Sequence, residues 1–378
     1  MTAVSKIAIA GGGVAGLAAA IQLAKAGVEV DLFEALPELT GLGSGISLQG
    51  NALRCFDAIG AWDDIRDAGY AFEGLNLRAP GPDAPIVASL PDVKTGGADY
   101  PAAMGMPRAE LARILLDHAH TAGVNIVFSA RVTAIDASAS DSVEVFVNGE
   151  SAGAYDLLIG ADGLHSTVRE LIGIETKPEQ NGMGIWRTFV SRPVDVERSE
   201  LYYGGPMYIA GYTPTGESSM YAFLVEKAQN RFGHSDEEAT RIMLEESRAY
   251  AGPWDSIRAD LEKGAHANYT WFTQHIVDAP WNRGRVVIIG DAAHSCPPTI
   301  AQGAAQGLED AVVLAELLIG AGAVDETLWD EFHRRRLPRA TAVVEASSQL
   351  AQWQIDGNRD ADTGGLIFGI AKQMAEPA

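Results

Sequence analysis

Cysteine is scarce in this 378-residue chain, with only Cys55 and Cys296, far apart in sequence. That excludes a disulfide framework, a four-cysteine zinc site and a Cys-x-x-Cys redox pair. The expectation is two buried or half-buried thiols in a reducing cytoplasm. Basic residues are also few, Lys+Arg 28 against Asp+Glu 50, for a net charge of −22. Such a chain is repelled by phosphate backbones and anionic membrane surfaces, so no nucleic-acid partner and no stable membrane association are expected. No apolar run is long enough to suggest a membrane span. The uncharged stretch Ile7–Ile21 has the look of a signal-peptide core, but four glycines interrupt it. The histidines show no metal-ligand spacing, and no metal is expected.

The rest is ordinary for a globular protein, 47% hydrophobic and 21% charged, and long enough for two domains. Lys6–Ala10 reads as a strand ending at Gly11-Gly12-Gly13. Val14–Ala26 reads as a helix stopped by Gly27, and Val28–Phe33 as a second strand ending on Glu34. A βαβ unit calls for a parallel sheet. Pro107 opens a helix that Gly123 closes, and Val124–Phe128 returns as a strand. Val143–Val147 and Tyr155–Ile159 bracket an Asn148-Gly149 turn as a β-ribbon. From about Gly182 to Phe223 the chain is β-rich, Ser235 and Glu238 are spaced as a capping box, and Asn268–Ile276 is another strand.

Arg285–Ile289 is apolar enough for a strand buried on both faces. It runs into Gly290-Asp291, a Gly/Pro-rich turn and a helix to about Leu318. The remainder is helical, and Arg334-Arg335-Arg336 is expected on a solvated helix face. Apolar strands of nucleotide-binding type flank the β-rich middle. The expected division is therefore a discontinuous nucleotide-binding part, 1–175 with 277–378, and an inserted β-rich part, 176–276.

Gly11-Gly12-Gly13-Val14-Ala15-Gly16 fits G-x-G-x-x-G. Gly11 permits the tight turn, Gly13 lets the backbone approach a pyrophosphate, and Gly16 lets helix and strand pack closely. The helix start at Val14-Ala15 offers free N–H groups and a positive dipole end. Glu34, 23 residues after Gly11, stands where a carboxylate accepts ribose hydroxyls. This pattern implies a dinucleotide and does not separate FAD from NAD.

Two further stretches do. Asp156–Arg169 (DLLIGADGLHSTVR) and Arg285–Leu318 (RVVIIGDAAHSCPPTIAQGAAQGLEDAVVLAELL) resemble the Asp-Gly and Gly-Asp fingerprints of flavoprotein hydroxylases of the p-hydroxybenzoate hydroxylase type. The resemblance runs from residue 5 to about 340 and is nearest the salicylate and 3-hydroxybenzoate hydroxylase branch. It implies a Rossmann-like α/β FAD-binding domain with an inserted β-sheet substrate domain and C-terminal helices. It also implies an FAD-dependent monooxygenase that takes electrons from NADH or NADPH and hydroxylates a small aromatic substrate with O₂ through a flavin C4a-hydroperoxide. The expected assembly is a monomer or homodimer. The rival readings are an epoxidase or reductase of the same fold, or a non-enzymatic flavin-binding protein.

By the same resemblance, Asp291 accepts from the ribityl chain, Pro298 walls the flavin ring, and Gly303, Ala304 and Ala305 face its pyrimidine edge. Asp162 belongs to the Asp-Gly motif, Arg108 reaches the FAD linker, and Ala35, Gly45, Ile46 and Val132 complete the cofactor positions. Ala35 and Gly43 stand where relatives place arginines, and no second G-x-G-x-x-G marks a nicotinamide domain. In Leu201–Thr213, Tyr208 and Tyr212 take positions that the related branch points at substrate. Their even spacing predicts a shared strand face. Tyr212 is then the expected substrate-orienting hydroxyl, with Tyr208 beside it. Arg187, after Trp186, is a candidate for a substrate carboxylate, although structural pairing is the blander reading. His294, inside the Gly-Asp motif, is read as structural.

Overall fold

Apolar runs without polar alternation need cover on both faces. Lys6–Ala10, Leu157–Gly160 and Val286–Ile288 find it inside a six-stranded sheet. The computed structural model describes residues 2–39, 44–278 and 280–378. It orders this sheet Asn282–Arg283, Val286–Ile288, Leu157–Gly160, Lys6–Ala10, Glu29–Phe33, Asn125–Val127. All neighbouring pairs are parallel except the first. Helices Val14–Lys25 and Gly303–Gly320 bury small residues against the core, Ala18, Ala19 and Ala20 on one and Gly307, Ala311 and Ala315 on the other.

The Asn148-Gly149 turn is present, with φ of 52° and 88°, the positive pair a two-residue hairpin needs. The expected second arm, Tyr155–Ile159, divides instead. Glu150–Tyr155 completes the hairpin, while Leu157–Gly160 enters the parallel sheet. Asp156 fixes the crossing point by accepting the Ser5 and Lys6 backbone N–H groups at 2.6 and 3.0 Å.

A second sheet of eight strands runs His294–Ser295, Ala267–Ile276, Glu179–Ser191, Ser219–Lys227, Ile209–Pro214, Ser199–Tyr202, Leu75–Arg78, Ile86–Leu90. Three of these lie outside the expected 176–276 insert, two at residues 75–90 and the short strand His294–Ser295. Helices Asp236–Glu246 and Pro253–Glu262 cover one face, burying Met243, Trp254, Ile257 and Leu261 against it. The first is capped as expected, with Ser235 Oγ accepting from the Glu238 N–H at 3.2 Å. The other face looks toward the nucleotide-type part. There a Cβ added to Gly45 would lie 2.7 Å from Tyr221 Cβ, and one added to Gly105 would lie 1.9 Å from the Pro214 carbonyl oxygen. Glycine at those points brings the two parts together.

The long helix Glu326–Ile355 corrects one expectation. Arg334 and Arg335 pair with Glu331 and Glu316 near the surface, but Arg336 is wholly buried. Successive helix residues are about 100° apart, so three in a row cannot share one solvated face. Arg336 donates to Glu309 Oε2 at 2.6 Å, Asp310 Oδ1 at 2.8 Å and the Gln306 side chain at 2.8 Å. Arg339 holds both oxygens of Glu309. Among the described residues, no helix is long and apolar enough to cross a membrane.

Candidate active site

At the carboxyl end of Lys6–Ala10 the chain turns through Gly11, with φ of +103°. A Cβ there would lie 2.4 Å from the Ala161 carbonyl oxygen and 2.9 Å from Asp162 Cα. A Cβ on Gly16 would lie 2.0 Å from the Gly11 oxygen. Gly13 differs: no atom comes within 4 Å of where its Cβ would be. It precedes the helix Val14–Lys25, whose first turn has no side-chain cap. The loop therefore presents unpaired N–H groups to open space, as an anion-binding helix start does.

Glu34 is buried and anchors the loop from behind, accepting from Gly12 N–H at 2.7 Å and Leu36 N–H at 2.8 Å. Each oxygen retains a second acceptor site. Half-buried Ala35 follows it, and buried Val132 starts the neighbouring strand Val132–Asp136. Gly43 lies outside the described residues.

Asp162 is spent locally, accepting from the Ser166 hydroxyl and from the Val168 N–H at 3.0 Å. Arg169, at the end of the same motif, donates to the Ala292 carbonyl at 2.9 Å. The Asp-Gly and Gly-Asp motifs thus form one unit. In the second, Asp291 has an exposed side chain that opens into the cleft between the two sheets. Surrounding protein pushes its carboxyl above the usual range, against the pull of His294 and Arg108. Across the cleft, Arg108 Nε donates to the Gly45 carbonyl at 3.3 Å. Gly45 and Ile46 are buried in a strand paired with Met106 and Pro107.

Helix Gly303–Gly320 begins beside Asp291, also without a side-chain cap, leaving the N–H groups of Gly303, Ala304 and Ala305 for a ligand. Pro298 is exposed in the short turn Pro298–Ile300, which Thr299 fixes by donating to the Ser347 carbonyl at 3.1 Å. Ala301 follows at φ +53°, a left-handed conformation that costs a non-glycine residue about 1 kcal/mol. No local sequence pattern marks it. His294 is structural: its Nε2 lies 2.6 Å from Asp310 Oδ2, which also accepts from the Gly290 N–H at 2.9 Å.

Tyr208 and Tyr212 do not share a face. Tyr208 precedes the strand Ile209–Pro214 and packs with Ile209, Phe223 and Ile355. Tyr212 is fully buried on the opposite face, beside Tyr202 and Trp254, and its hydroxyl donates to Glu200. The register explains this. Tyr212 aligns with Ala222 and Thr188, on the helix-covered side, whereas Gly211, Phe223 and Arg187 align on the cleft side. Tyr212→Phe is therefore expected to leave FAD content and product yield unchanged. It is expected to lower stability in a denaturant titration by about 1–3 kcal/mol, because the buried Glu200 loses a hydrogen bond.

The cleft face instead carries Arg187, Tyr221 and Phe223. The alternation in Ser219–Lys227 (SMYAFLVEK) was the available signal for the last two, since Tyr221, Phe223 and Val225 recur every second residue.

Residues 4–347 match the family described as "FAD binding domain". The chain is 34% identical over 365 residues to "Putative FAD-dependent monooxygenase YetM" of Bacillus subtilis (strain 168), covering 94% of this chain and 95% of that protein. It is 30% identical to the 3-amino-4-hydroxybenzoate 2-monooxygenase of Streptomyces cremeus, covering 92% and 87%. The solved tetrameric form of 2-methyl-3-hydroxypyridine-5-carboxylic acid oxygenase superposes with a TM-score of 0.81 at 26% identity, over 98% of this chain and 95% of that one. The chain belongs to the FAD-binding domain family and is an FAD-dependent monooxygenase of the aromatic hydroxylase class.

Proposed function

We propose that this monooxygenase seats an electron-rich aromatic or heteroaromatic ring between its flavin site and the sheet face bearing Arg187, Tyr221 and Phe223. One observation carries the reading: Arg108, bonded to the Gly45 carbonyl where that strand meets Tyr221, stands within electrostatic reach of Asp291 on the nucleotide-type part and of Tyr221 and Arg187 on the sheet. The fit to FAD rests on the open space at Gly13, the two uncapped helix starts and the carboxylates at Glu34 and Asp291.

In this reading Gly11, Gly13, Val14, Ala15 and Gly16 form the pyrophosphate loop and Glu34 takes the ribose. Ala35 and Val132 border the adenine side. Arg108 reaches the linker from beside Gly45 and Ile46, and Asp291 takes the ribityl hydroxyls. Asp162 acts by holding its turn against Gly11. Gly303, Ala304 and Ala305 direct N–H groups at the pyrimidine edge, where a helix N-terminus favours negative charge. Bound FAD supplies the redox chemistry, taking electrons from NADH or NADPH and activating O₂. The protein's share is to orient the ring, with Pro298 as one wall, and to exclude water with Phe223, Tyr208 and Ile209.

The division into 1–175 with 277–378 for FAD and 176–276 for substrate is kept within this proposal, the strands at 75–90 extending the second part. So are a cytoplasmic location and a monomeric or homodimeric state; the two free thiols, Cys55 buried and Cys296 half-buried, suit a reducing compartment. Purified protein is expected to be yellow with about one FAD per chain, and a panel of hydroxybenzoates and hydroxypyridines is expected to stimulate NAD(P)H oxidation. Bound FAD that no ring makes more reactive toward NAD(P)H would count against the hydroxylase reading.

A further inference from the structure

From Pro298 through Ala304, the stretch that walls the flavin and starts the helix Gly303–Gly320, only Gln302 is buried. A buried amide without partners is destabilising, so glutamine is a demanding residue where leucine would pack. Gln302 finds its partners in a closed circuit of five buried side chains, which ties together the helices Gly50–Ala58, Gly303–Gly320 and Glu326–Ile355. Arg336 Nη2 donates to Gln306 Oε1 at 2.8 Å, and Gln306 Nε2 to Gln302 Oε1 at 3.2 Å. Gln302 Nε2 donates to Asn51 Oδ1 at 3.1 Å, and Asn51 Nδ2 to Glu309 Oε1 at 2.9 Å. Arg336 Nη1 closes the circuit on Glu309 Oε2 at 2.6 Å. Asn51 Nδ2 also returns a bond to Gln302 Oε1 at 3.0 Å, so these two amides are paired both ways.

The ion pair fixes the direction of the circuit. A guanidinium only donates and a carboxylate only accepts, so Gln306 turns its oxygen to Arg336 and Asn51 its NH₂ to Glu309. Gln302, between them, then has one orientation that satisfies both neighbours. The Thr95 hydroxyl holds Asn51 from behind, accepting from its backbone N–H at 3.0 Å. Met374, on the C-terminal helix Thr363–Ala375, covers Gln306 and accepts a bond on sulfur at 3.2 Å. Buried side chains act on the flavin site through the backbone they hold. The Gln302 carbonyl accepts the first helical bond, from the Gln306 N–H at 3.0 Å. The three N–H groups between them, of Gly303, Ala304 and Ala305, are the ones left for a ligand.

We propose that Asn51 and Gln302 are positioning residues for FAD: their paired amides fix the direction of the first helical turn and hold those three N–H groups on the pyrimidine edge as the cofactor takes up negative charge. This role rests on the FAD seat assigned above. A chain of amides ending on an ion pair is a directional mount, which an apolar contact is not. Donors on such a mount stay aimed while charge develops, and so favour reduced FAD over oxidised.

The test is the midpoint potential of bound FAD in Asn51→Leu, Gln302→Met and the double variant, with oxidised-FAD affinity and a thermal melt beside it. Both substitutions keep the side-chain size close and remove the amide. Both leave Glu309 its two arginines, Arg336 and Arg339, so the variants are expected to fold. In each, reduced FAD is expected to lose affinity roughly 10-fold more than oxidised FAD, the size of a helix-end effect on a partly buried charge. For a two-electron couple that is a potential about 30 mV lower. The double variant should shift no further than the singles, because both break the same pair. Tyr212→Phe, which gives up a buried hydrogen bond on the helix-covered side of the sheet, is the control, with lower stability and an unmoved potential.

The proposal is overturned if Asn51→Leu and Gln302→Met move the potential no more than Tyr212→Phe does, or if their shifts add in the double variant. Total loss of FAD from either single variant also overturns it, because the circuit would then hold the whole cofactor site and not the aim of one turn. Gly303→Val separates these failures from failure of the seat. Its added side chain has room in the protein, with Cys296 Sγ 3.9 Å from the Cβ position, and meets only the cofactor. If Gly303→Val weakens FAD while the amide variants leave the potential alone, the seat stands and the positioning role falls. If Gly303→Val leaves FAD affinity and potential untouched, the seat falls and the positioning role falls with it.

Discussion

Gly16→Val is expected to yield protein that retains no FAD. The position has no room for a side chain, since a Cβ would meet the Gly11 oxygen at 2.0 Å and the Ala161 Cβ at 3.3 Å. Neither neighbour can yield, because Gly11 is already held at φ +103° against Ala161. The turn must open, and the N–H groups of the helix start then swing away from the pyrophosphate. Losing two or more charge-assisted hydrogen bonds corresponds to roughly 100-fold weaker binding or worse. Gly13→Val is the informative companion. Gly13 already has an ordinary φ of −72° and open space around it, so the variant should keep the stability of the wild-type apoprotein. A side chain there meets only the cofactor. FAD per chain, read from absorbance beside a thermal melt, separates the two: Gly16→Val loses cofactor and stability, and Gly13→Val loses cofactor alone. Normal FAD content in Gly13→Val would mean that the open space is not the phosphate site.

The largest stability effect is expected at Arg336. Its guanidinium neutralises Glu309 and Asp310, both buried. Burial would raise these two carboxyls, but the facing arginines, and His294 for Asp310, hold them below their usual range. Arg336→Met leaves two buried carboxylates short of their partner, a change that typically costs about 3–5 kcal/mol. The pH dependence has a definite sign. Carboxyls depressed in the fold contribute stability above their unfolded pKa, and that contribution is lost as pH falls through the lower folded values. Wild type and variant should therefore differ most at neutral pH and converge on acidification. Denaturant titrations at pH 7 and pH 4 measure this, and a gap that widens toward pH 4 would contradict it.

Glycine carried most of what was legible. Gly11, Gly13 and Gly16 each declare a backbone need by composition, and the acid at Glu34 follows at a fixed distance, so the nucleotide half of the cleft could be read residue by residue. Strand parity failed where a strand boundary fell between two residues. Tyr208 lies before the strand that holds Tyr212, so their even spacing fixed nothing about a shared face. Arg336 was hidden because its partners, Glu309 and Asp310, lie on another helix, and no local pattern tells which arginine of a triplet turns inward. The strands at 75–90 were missed because Leu75–Arg78, which carries Ile86–Leu90 into the sheet, pairs with Ser199–Tyr202, far along the chain. Long-range pairing leaves little local trace.

The most direct measurement of the account is oxygen transfer under ¹⁸O₂. Protein loaded with FAD, supplied with NADH or NADPH and the ring that most stimulates its oxidation, is expected to place one labelled oxygen atom in the aromatic product. Label from water instead, or NAD(P)H oxidation that ends wholly in hydrogen peroxide with every ring tested, would contradict aromatic hydroxylation in this cleft.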